Sequence, residues 1–556
     1  MSQNENSKTY IGLTIGPIIE TISQAKETGE LWASSYLFSY IMKNIIKKLL
    51  DKNKTEGDNT LKDRFIVPYV KKEKIFNDPQ EVGLFHDRLI FQSNEEDFKL
   101  IGVVVDEVKE SLTENVLEEL KKIPNHKEIK KSQVKDYVDE FFKIYYLEVN
   151  VNTNGEKDDN NIILQVNKCL DALELCEKLP NEKGECRNYL LPVLNNSSLK
   201  KDNFRKHFLS KDAYGDKGKK GGFPSLLKIA LGKTNYTDFP CSDDEIKEKI
   251  LAGDLIKAQE YVAIVHVDGD SIGKVISKLK VPEDYEKFSN KLLDYSKESH
   301  EIIKNYGGFT VYAGGDDLVF IAPIINNNIT TEDKINTIIG QETFDSNIFE
   351  LIDCLSALFN HKFQGCQFNP TTSFGVAMVH YKFPLYYALD ESRELLFVKA
   401  KNYKNKDVTK NAIAFKLIKS SGQSFETVVG KGTNSYKQFT RLFQDIIYNS
   451  KKHTKSKTFL KAIHFKLLKD KIILNKIGKD KDLLENYFHN NFNEEIHKCE
   501  PIKSYIEGLV TFIHEIYYDM DDEDIKNDTC INQIYSYLRF IKFMDEDIKI
   551  DDWKMK

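Results

Sequence analysis

No pair among the eight cysteines has the C-x₂₋₄-C spacing that marks a zinc site; they fall at 169, 176, 186, 241, 354, 366, 499 and 530. Cysteines so scattered suit a reducing cytoplasm and not a disulfide framework. Cys169, Cys176, Cys186 and Cys241 come nearest to a zinc set. The first two lie seven apart on an expected helix, which favours ordinary burial over zinc, with at most a remnant site. The sequence shows no signal peptide and no apolar run long enough to cross a bilayer, so a soluble, cytoplasmic protein without a membrane partner is expected. An excess of one charge is missing too: 80 Lys and Arg face 86 Asp and Glu, leaving −6. Contact with nucleic acid must then come from local patches.

What is present is a long globular chain. At 556 residues, 40% of them hydrophobic, it exceeds a single core, and roughly three or four domains are expected. Residues 1–8 are polar; from Tyr10 the pattern reads as a strand, then as a long helix with Pro17 near its start. Short apolar runs at 65–70, 83–91 and 100–105, an amphipathic helix over 113–123 and a strand at 145–151 fill an α/β or α+β domain to about residue 165. Between 166 and 255, a helix (164–178) precedes the Lys- and Gly-rich stretch 200–222. That stretch reads as a loop; the alternative is a basic strip meeting RNA phosphates.

From 256 to 430 the order sharpens. A buried-type strand, Tyr261–Val267, runs into Asp268-Gly269-Asp270-Ser271-Ile272-Gly273-Lys274, where a helix begins. A helical region broken near Pro282 ends at Tyr306. A hairpin (311–320), helix 344–360, strand 371–378, helix 384–402 and strand 411–418 follow. This β-α-β-β-α-β order is that of a ferredoxin-like palm with extra elements at its end. Beyond 430 the chain is Lys-rich and helical in period, and the acidic DMDDEDIKND near its end reads as solvated surface.

The hairpin carries Ala313-Gly314-Gly315-Asp316-Asp317 between two apolar arms. Its glycines permit backbone angles closed to other residues and leave room for a phosphate or metal. Its adjacent carboxylates repel unless a cation or hydrogen-bond donors offset them. In a palm the first strand lies beside the strand carrying the hairpin, so Asp268 is expected to face Asp316 and Asp317. With the Gly269 carbonyl they would form a hard oxygen cage for Mg²⁺ or Mn²⁺. Two such ions can hold a nucleoside triphosphate, activate a ribose hydroxyl and neutralise pyrophosphate. Ser271–Lys274 open a helix whose N–H groups can receive phosphate oxygens. The bland reading makes Asp268 and Asp270 helix caps and Asp317 a turn residue; the two motifs together, at palm spacing, favour the site.

DGDSIGK, YAGGDDLVF, TTSFGVAMVHYKFPLYYALDESRELLFVKAK and KSSGQSF, in this order, resemble the second palm of the large polymerase/cyclase subunit of type III CRISPR effector complexes, nearest the Cmr-type (III-B) branch. IGPIIETISQAKETGELWASSYLFSY resembles the opening of that family's first palm, and FPSLLKIA its linking region. The resemblance implies an α+β fold class: a first, degenerate ferredoxin-like palm (1–165), a linking helical region (166–255), a nucleotide-cyclase-like catalytic palm (256–430) and a C-terminal helical domain (431–556). It also implies RNA-triggered conversion of ATP into a linear or cyclic oligoadenylate, within a complex of other Cmr-type subunits, guide RNA and target RNA. Asp268, Gly314, Gly315, Asp316 and Asp317 match the signature positions. Lys401 matches a triphosphate-binding lysine of related cyclases, with Lys399 its rival. Ser421-Gly422-Gln423 matches a motif near the nucleotide pocket. Some relatives without an HD nuclease domain join ATP to S-adenosylmethionine instead.

His86-Asp87, in GLFHDRLIFQ, has no upstream histidine cluster and too little chain before it for an HD domain. It reads as coincidence, and no DNase activity is expected. Three other functions compete. A diguanylate cyclase would carry GGDEF or GGEEF, whereas this hairpin ends Asp-Asp-Leu. A template-directed polymerase would need fingers and a template channel. A scaffold subunit would use its carboxylates structurally.

Overall fold

The computed structural model describes residues 7–53, 60–77, 79–152, 161–175, 188–196, 204–215, 222–232, 257–326, 347–366, 368–405, 408–449, 454–491, 502–520 and 522–544. Cys176, Cys186, Cys241 and residues 200–203 and 216–221 of the basic stretch lie outside them; the described part of that stretch, expected as a loop, holds a short helix at Phe208–Tyr214.

The first sheet is built from β1 (Ser7–Gly16), β2 (Phe65–Val67), β3 (Arg88–Gln92) and β4 (Lys143–Asn152), in the order β2-β3-β1-β4. Its pairings are all antiparallel. Ile11, Leu13 and Ile15 alternate along β1 and share one core with α1 (Thr28–Lys52) and α2 (Asp97–Lys121). Tyr10 faces the other way, onto Ile162 and Val166 of α3 (Ile162–Glu174). The run 100–105, expected among the short apolar segments, lies inside α2: Ile101, Val104, Val105 and Val108 are buried at helical spacing. A short apolar run cannot by itself separate strand from buried helix. Of 83–91, only the part from Arg88 joins the ladder, and 83–87 form its approach.

The second sheet has the order β10-β9-β8-β5-β7-β6. Its strands are β5 (Tyr261–Asp270), β6 (Phe309–Gly314), β7 (Asp317–Pro323), β8 (Thr371–His380), β9 (Ala412–Ile418) and β10 (Ser424–Gly430). The inner four repeat the arrangement of the first sheet, so both are ferredoxin-like, and the chain is α+β. β5 is central and covered on both faces, which accounts for its nearly unbroken apolar sequence. Its odd residues, Tyr261 to Val267, pack with helices α5 (Pro282–Tyr306) and α6 (Ile348–Lys362); the short α4 (Ile272–Ile276) lies between β5 and α5. Its even residues Val262 and Ile264 join the core that holds Leu13 and Trp32 of the first unit. Ion pairs add to this joint: Lys304–Glu81 at 2.5 Å, Lys71–Glu286 at 2.8 Å and Lys72–Asp294 at 2.5 Å.

Helix α7 (Leu385–Glu394) was expected to run unbroken to 402, but it widens into a π-turn at Leu395–Lys399 and tightens to 3₁₀ over Ala400–Asn402. Such a turn re-aims side chains: Phe397 and Val398 face outward while Lys401 turns in, 12% exposed. The C-terminal helices, among them α8 (Asn434–Asn449), α9 (Thr454–Lys469), α10 (Ile502–Asp519) and α11 (Thr529–Met544), complete the odd-side core. There Phe349 meets Phe439 and Phe540 edge-on at 5.0 and 5.9 Å. Among the described residues no helix is long and apolar enough to cross a membrane.

Gly375 of β8 lets α7 settle: a Cβ there would stand 2.1 Å from the Ser392 carbonyl oxygen and 2.4 Å from the Leu396 nitrogen, both backbone. Gly375→Ala should therefore cost about 1–3 kcal/mol in urea unfolding; a change below about 0.5 kcal/mol would mean that α7 yields without cost.

Candidate nucleotide and metal site

The site begins with strand register. Val267 pairs with Leu318, so Asp268 leaves β5 beside Asp317, the first residue of β7. Gly314 pairs with Asp317 and closes the hairpin over Gly315-Asp316. Gly315 has φ +73°, the left-handed region that glycine tolerates. The Ser296 hydroxyl of α5 donates to its carbonyl at 3.0 Å, fixing the tip. Gly269 permits the approach: a Cβ on it would lie 2.5 Å from Asp316 Oδ2. Asp268, Asp316 and Asp317 each bring one carboxylate oxygen into a set whose members all lie within 4.8 Å of one another.

Such crowding shows in the acidities. Enclosure by protein, then the charge of Asp268, raises Asp316 to about 6. Enclosure followed by Asp316 raises Asp317 well above the usual carboxyl value, although by surface area its side chain still opens to solvent. The cage is nonetheless not without a cation. Lys401 Nζ donates to the carbonyls of Asp268 (3.0 Å) and Gly269 (2.7 Å) and to Asp270 Oδ1 (2.9 Å), and it pairs with the Asp268 carboxylate. Burial opposes its charge, but Asp268 and Asp270 hold its pKa above the ordinary lysine value.

Other expected contacts fall differently. Asp270, expected against nucleotide, is 2% exposed. It accepts from Thr371 Oγ1 (2.9 Å), Ser373 Oγ (2.8 Å) and the Asn411 N–H (3.0 Å) as well as from Lys401, so it braces the lysine from within the fold. Ser271 has φ +64° and opens α4, a helix of five residues with little dipole to offer. Gly273 and Lys274 are exposed on its first turn. Lys399, the rival of Lys401, is paired with Glu426. Ser421-Gly422-Gln423 forms the β9–β10 turn at the other end of the sheet. Ile418 pairs with Val379 and Val379 with Val262, whereas Asp268 pairs with Ser373. A parallel β8–β9 pair carries that turn away from the carboxylates.

Beside Asp317 a cavity of about 540 Å³ opens between the two sheets, lined by Gly16, Pro17, Asp87, Tyr312, Arg393 and Phe397 among others. Sequence reasoning had set Asp87 aside. The available signal was a charged residue inside an apolar run, which is rarely left buried without a purpose.

An antiparallel β-α-β-β-α-β sheet with carboxylates at the end of its central strand and at the adjoining turn defines the nucleotidyl-cyclase-like palm class. The comparisons agree. Residues 261–413 match the family model for the Cas10/Cmr2 second palm domain, and residues 10–125 match that for the N-terminal part of CRISPR-associated protein Cmr2. The CRISPR system Cmr subunit Cmr2 of Pyrococcus furiosus is 30% identical over 199 residues, covering 31% of this chain and 20% of the relative. The match thus spans about a fifth of that relative's length. Similar solved structures include the type III-B Cmr-beta complex bound to cognate target RNA (11% identity, TM-score 0.48, covering 77% of this chain and 72% of that one). Csm1 of T. onnurineus is another (14% identity, TM-score 0.48, covering 98% and 70%). Two separate stretches of the chain are thus similar to domains of the Cas10/Cmr2 family.

Two measurements test the electrostatics. Lys401→Met removes the internal cation, so Mn²⁺ titrated without nucleotide should bind several-fold tighter; equal or weaker binding would mean that the ammonium does not compete with metal. Asp316→Asn tests the crowding in EDTA. The raised folded pKa means the native carboxyl holds a proton that the unfolded one has lost, so wild-type stability falls as pH rises from about 4 to about 6. The melting-temperature advantage of the Asn variant should open across that window and close with excess Mg²⁺. A pH-independent gap would contradict the assignment.

Proposed function

We propose that this chain is an RNA-activated nucleotidyltransferase of a type III CRISPR antiviral complex, making a signalling nucleotide from ATP as a linear or cyclic oligoadenylate. The observation that carries it is the convergence of Asp268, Asp316 and Asp317, from neighbouring strands, around a lysine ammonium that already stands where a cation is needed. The donor set consists of carboxylates and backbone carbonyls, and it suits Mg²⁺ or Mn²⁺. The three carboxylates and the Gly269 carbonyl would hold the metal. When bound, such ions lower the pKa of the attacking 3′-hydroxyl and neutralise the departing pyrophosphate.

The chain's own residues do the rest. Gly314 and Gly315 keep the tip free of side chains so that phosphate can come close. Lys401, released from the cage, turns its charge to the triphosphate while Asp270 stays fixed behind it. Ser271, Gly273 and Lys274 offer N–H and ammonium groups at the open side of α4. No residue has to act as a covalent nucleophile. The matches to Cmr2 models support partnership with other Cmr-type subunits, and through them with guide and target RNA, in the cytoplasm.

A second reading has an observation in its favour. The cavity beside Asp317 is lined by Glu20, Asp87, Glu174 and Asp390 against Lys143 and Arg393. That balance is poorly suited to a second triphosphate and better suited to a cationic acceptor such as S-adenosylmethionine.

In the assembled complex with target RNA, ATP and Mg²⁺, products resolved by mass should include oligoadenylates, or an adenylated conjugate when S-adenosylmethionine is added. Asp316→Ala with Asp317→Ala should take product below detection and leave RNA binding unchanged. Product at wild-type level from the double variant would refute the site, and its absence from wild type under all conditions would leave the scaffold reading standing.

A further inference from the structure

Asp270 is 2% exposed, and Lys401 contacts it at 2.9 Å. In the proposed reaction Lys401 turns to the triphosphate, which takes the ion pair away from a buried carboxylate. Thr371, Ser373 and the Asn411 N–H keep their hydrogen bonds to Asp270, but all three are neutral. A buried carboxylate left without a counter-charge is costly.

A second lysine lies behind it. Lys431 follows β10, and its N–H donates at 2.9 Å to the carbonyl of Asn411, the residue whose own N–H holds Asp270. Its Nζ donates to Ser356 Oγ of α6 at 2.6 Å and to Thr372 Oγ1 of β8 at 3.2 Å, and stands 4.5 Å from the centre of the Phe374 ring. Thr372 lies opposite Gly269, between Thr371 and Ser373, and alternation turns its side chain to the other face of the sheet. The ammonium therefore stands across the sheet from Asp270. Among the described residues it makes no ion pair; its contacts are two hydroxyls and a ring face. Asp353 of α6 attracts it, but that carboxylate is exposed and accepts from the Tyr436 hydroxyl at 2.9 Å. The other charges that act on it are Asp270, which attracts, and Lys401, which repels. Burial lowers its pKa to about 7 against the pull of both carboxylates, although by surface area the residue is only half-buried. Withdrawing Lys401 removes the repulsion and leaves the attraction.

On the reading of the site as a nucleotidyltransferase, we infer that Lys431 is a positioning residue: its charge becomes the counter-charge of Asp270 when Lys401 turns to the triphosphate. Lys431 is not a ligand of nucleotide or metal. It acts through Asp270 and Lys401, by repelling the lysine while it sits in the cage and by holding the carboxylate once the lysine has gone. Both effects make Lys401 easier to release.

The test uses the assembled complex with target RNA as wild type, Lys431→Gln and Lys431→Arg, each with and without Lys401→Met. Gln can still donate to Ser356 and Thr372 but carries no charge, whereas Arg keeps the charge. Equilibrium dialysis follows a non-hydrolysable ATP analogue with Mn²⁺, and electron paramagnetic resonance follows Mn²⁺ alone. Lys431→Gln should bind the analogue at least about fivefold more weakly, and Lys431→Arg should recover most of the loss. With Lys401→Met in place no lysine has to leave, so Lys431→Gln should then cost less than about twofold. Mn²⁺ alone should bind several-fold more weakly to Lys431→Gln, because Lys401 clings to Asp270; Lys401→Met shifts it the other way. A purely structural role would weaken analogue binding equally in both Lys401 backgrounds. That result, or unchanged analogue binding in Lys431→Gln, overturns the inference. If wild type makes no product or binds no analogue, the transferase reading fails and the Mn²⁺ comparison decides on Lys431. Equal Mn²⁺ binding by wild type and Lys431→Gln then overturns the inference, and weaker binding by Lys431→Gln upholds it.

Discussion

Three carboxylates are forced together at the end of β5, and Lys401 pairs with the first of them, Asp268. Like charges at such separations raise one another's proton affinity, and here that pressure is visible in Asp316 and Asp317. The lysine relieves it without coming from either acidic strand. It arrives from the far end of α7, through a π-turn and a 3₁₀ turn, and is braced from behind by the buried Asp270. The cage is thus an assembled set of opposing charges whose parts come from three separate stretches of sequence.

Bringing those stretches together depends on surfaces without side chains. Gly269 lets the hairpin tip meet β5, and Gly375 lets α7 lie against β8; at either, a methyl group would fall within 2.5 Å of its neighbour. At Gly375 the obstacle is backbone, which cannot rotate away. At Gly269 it is the Asp316 carboxylate itself, so a substitution there would act directly on the chemistry.

Much of this was legible in the residues. The unbroken apolar run of β5, the paired glycines before two aspartates and the alternation of strands and helices pointed to a palm and to its three carboxylates, which the structure gathers. Local pattern misled where the outcome depends on distant partners. The run at 100–105 fits strand or buried helix, and only packing against α1 decides. Asp270 looks like a ligand beside Asp268, but Thr371, Ser373 and Asn411 draw it inward. Ser421-Gly422-Gln423 follows a motif, yet the parallel β8–β9 pairing sends that turn to the opposite end of the sheet. Asp87 shows in the sequence only as a charge inside an apolar run, because Tyr312 and Asp317, with which it lines the cavity, are more than two hundred residues away.

The core that runs from Leu13 and Trp32 into Val262, Ile264 and Ile321 has a mechanical consequence. Neither half can swing as a free body without tearing apolar surface open to water, so the pair responds to load as one stiff plate. A load applied to the N-terminal half is therefore passed through apolar packing to the strand that carries Asp268.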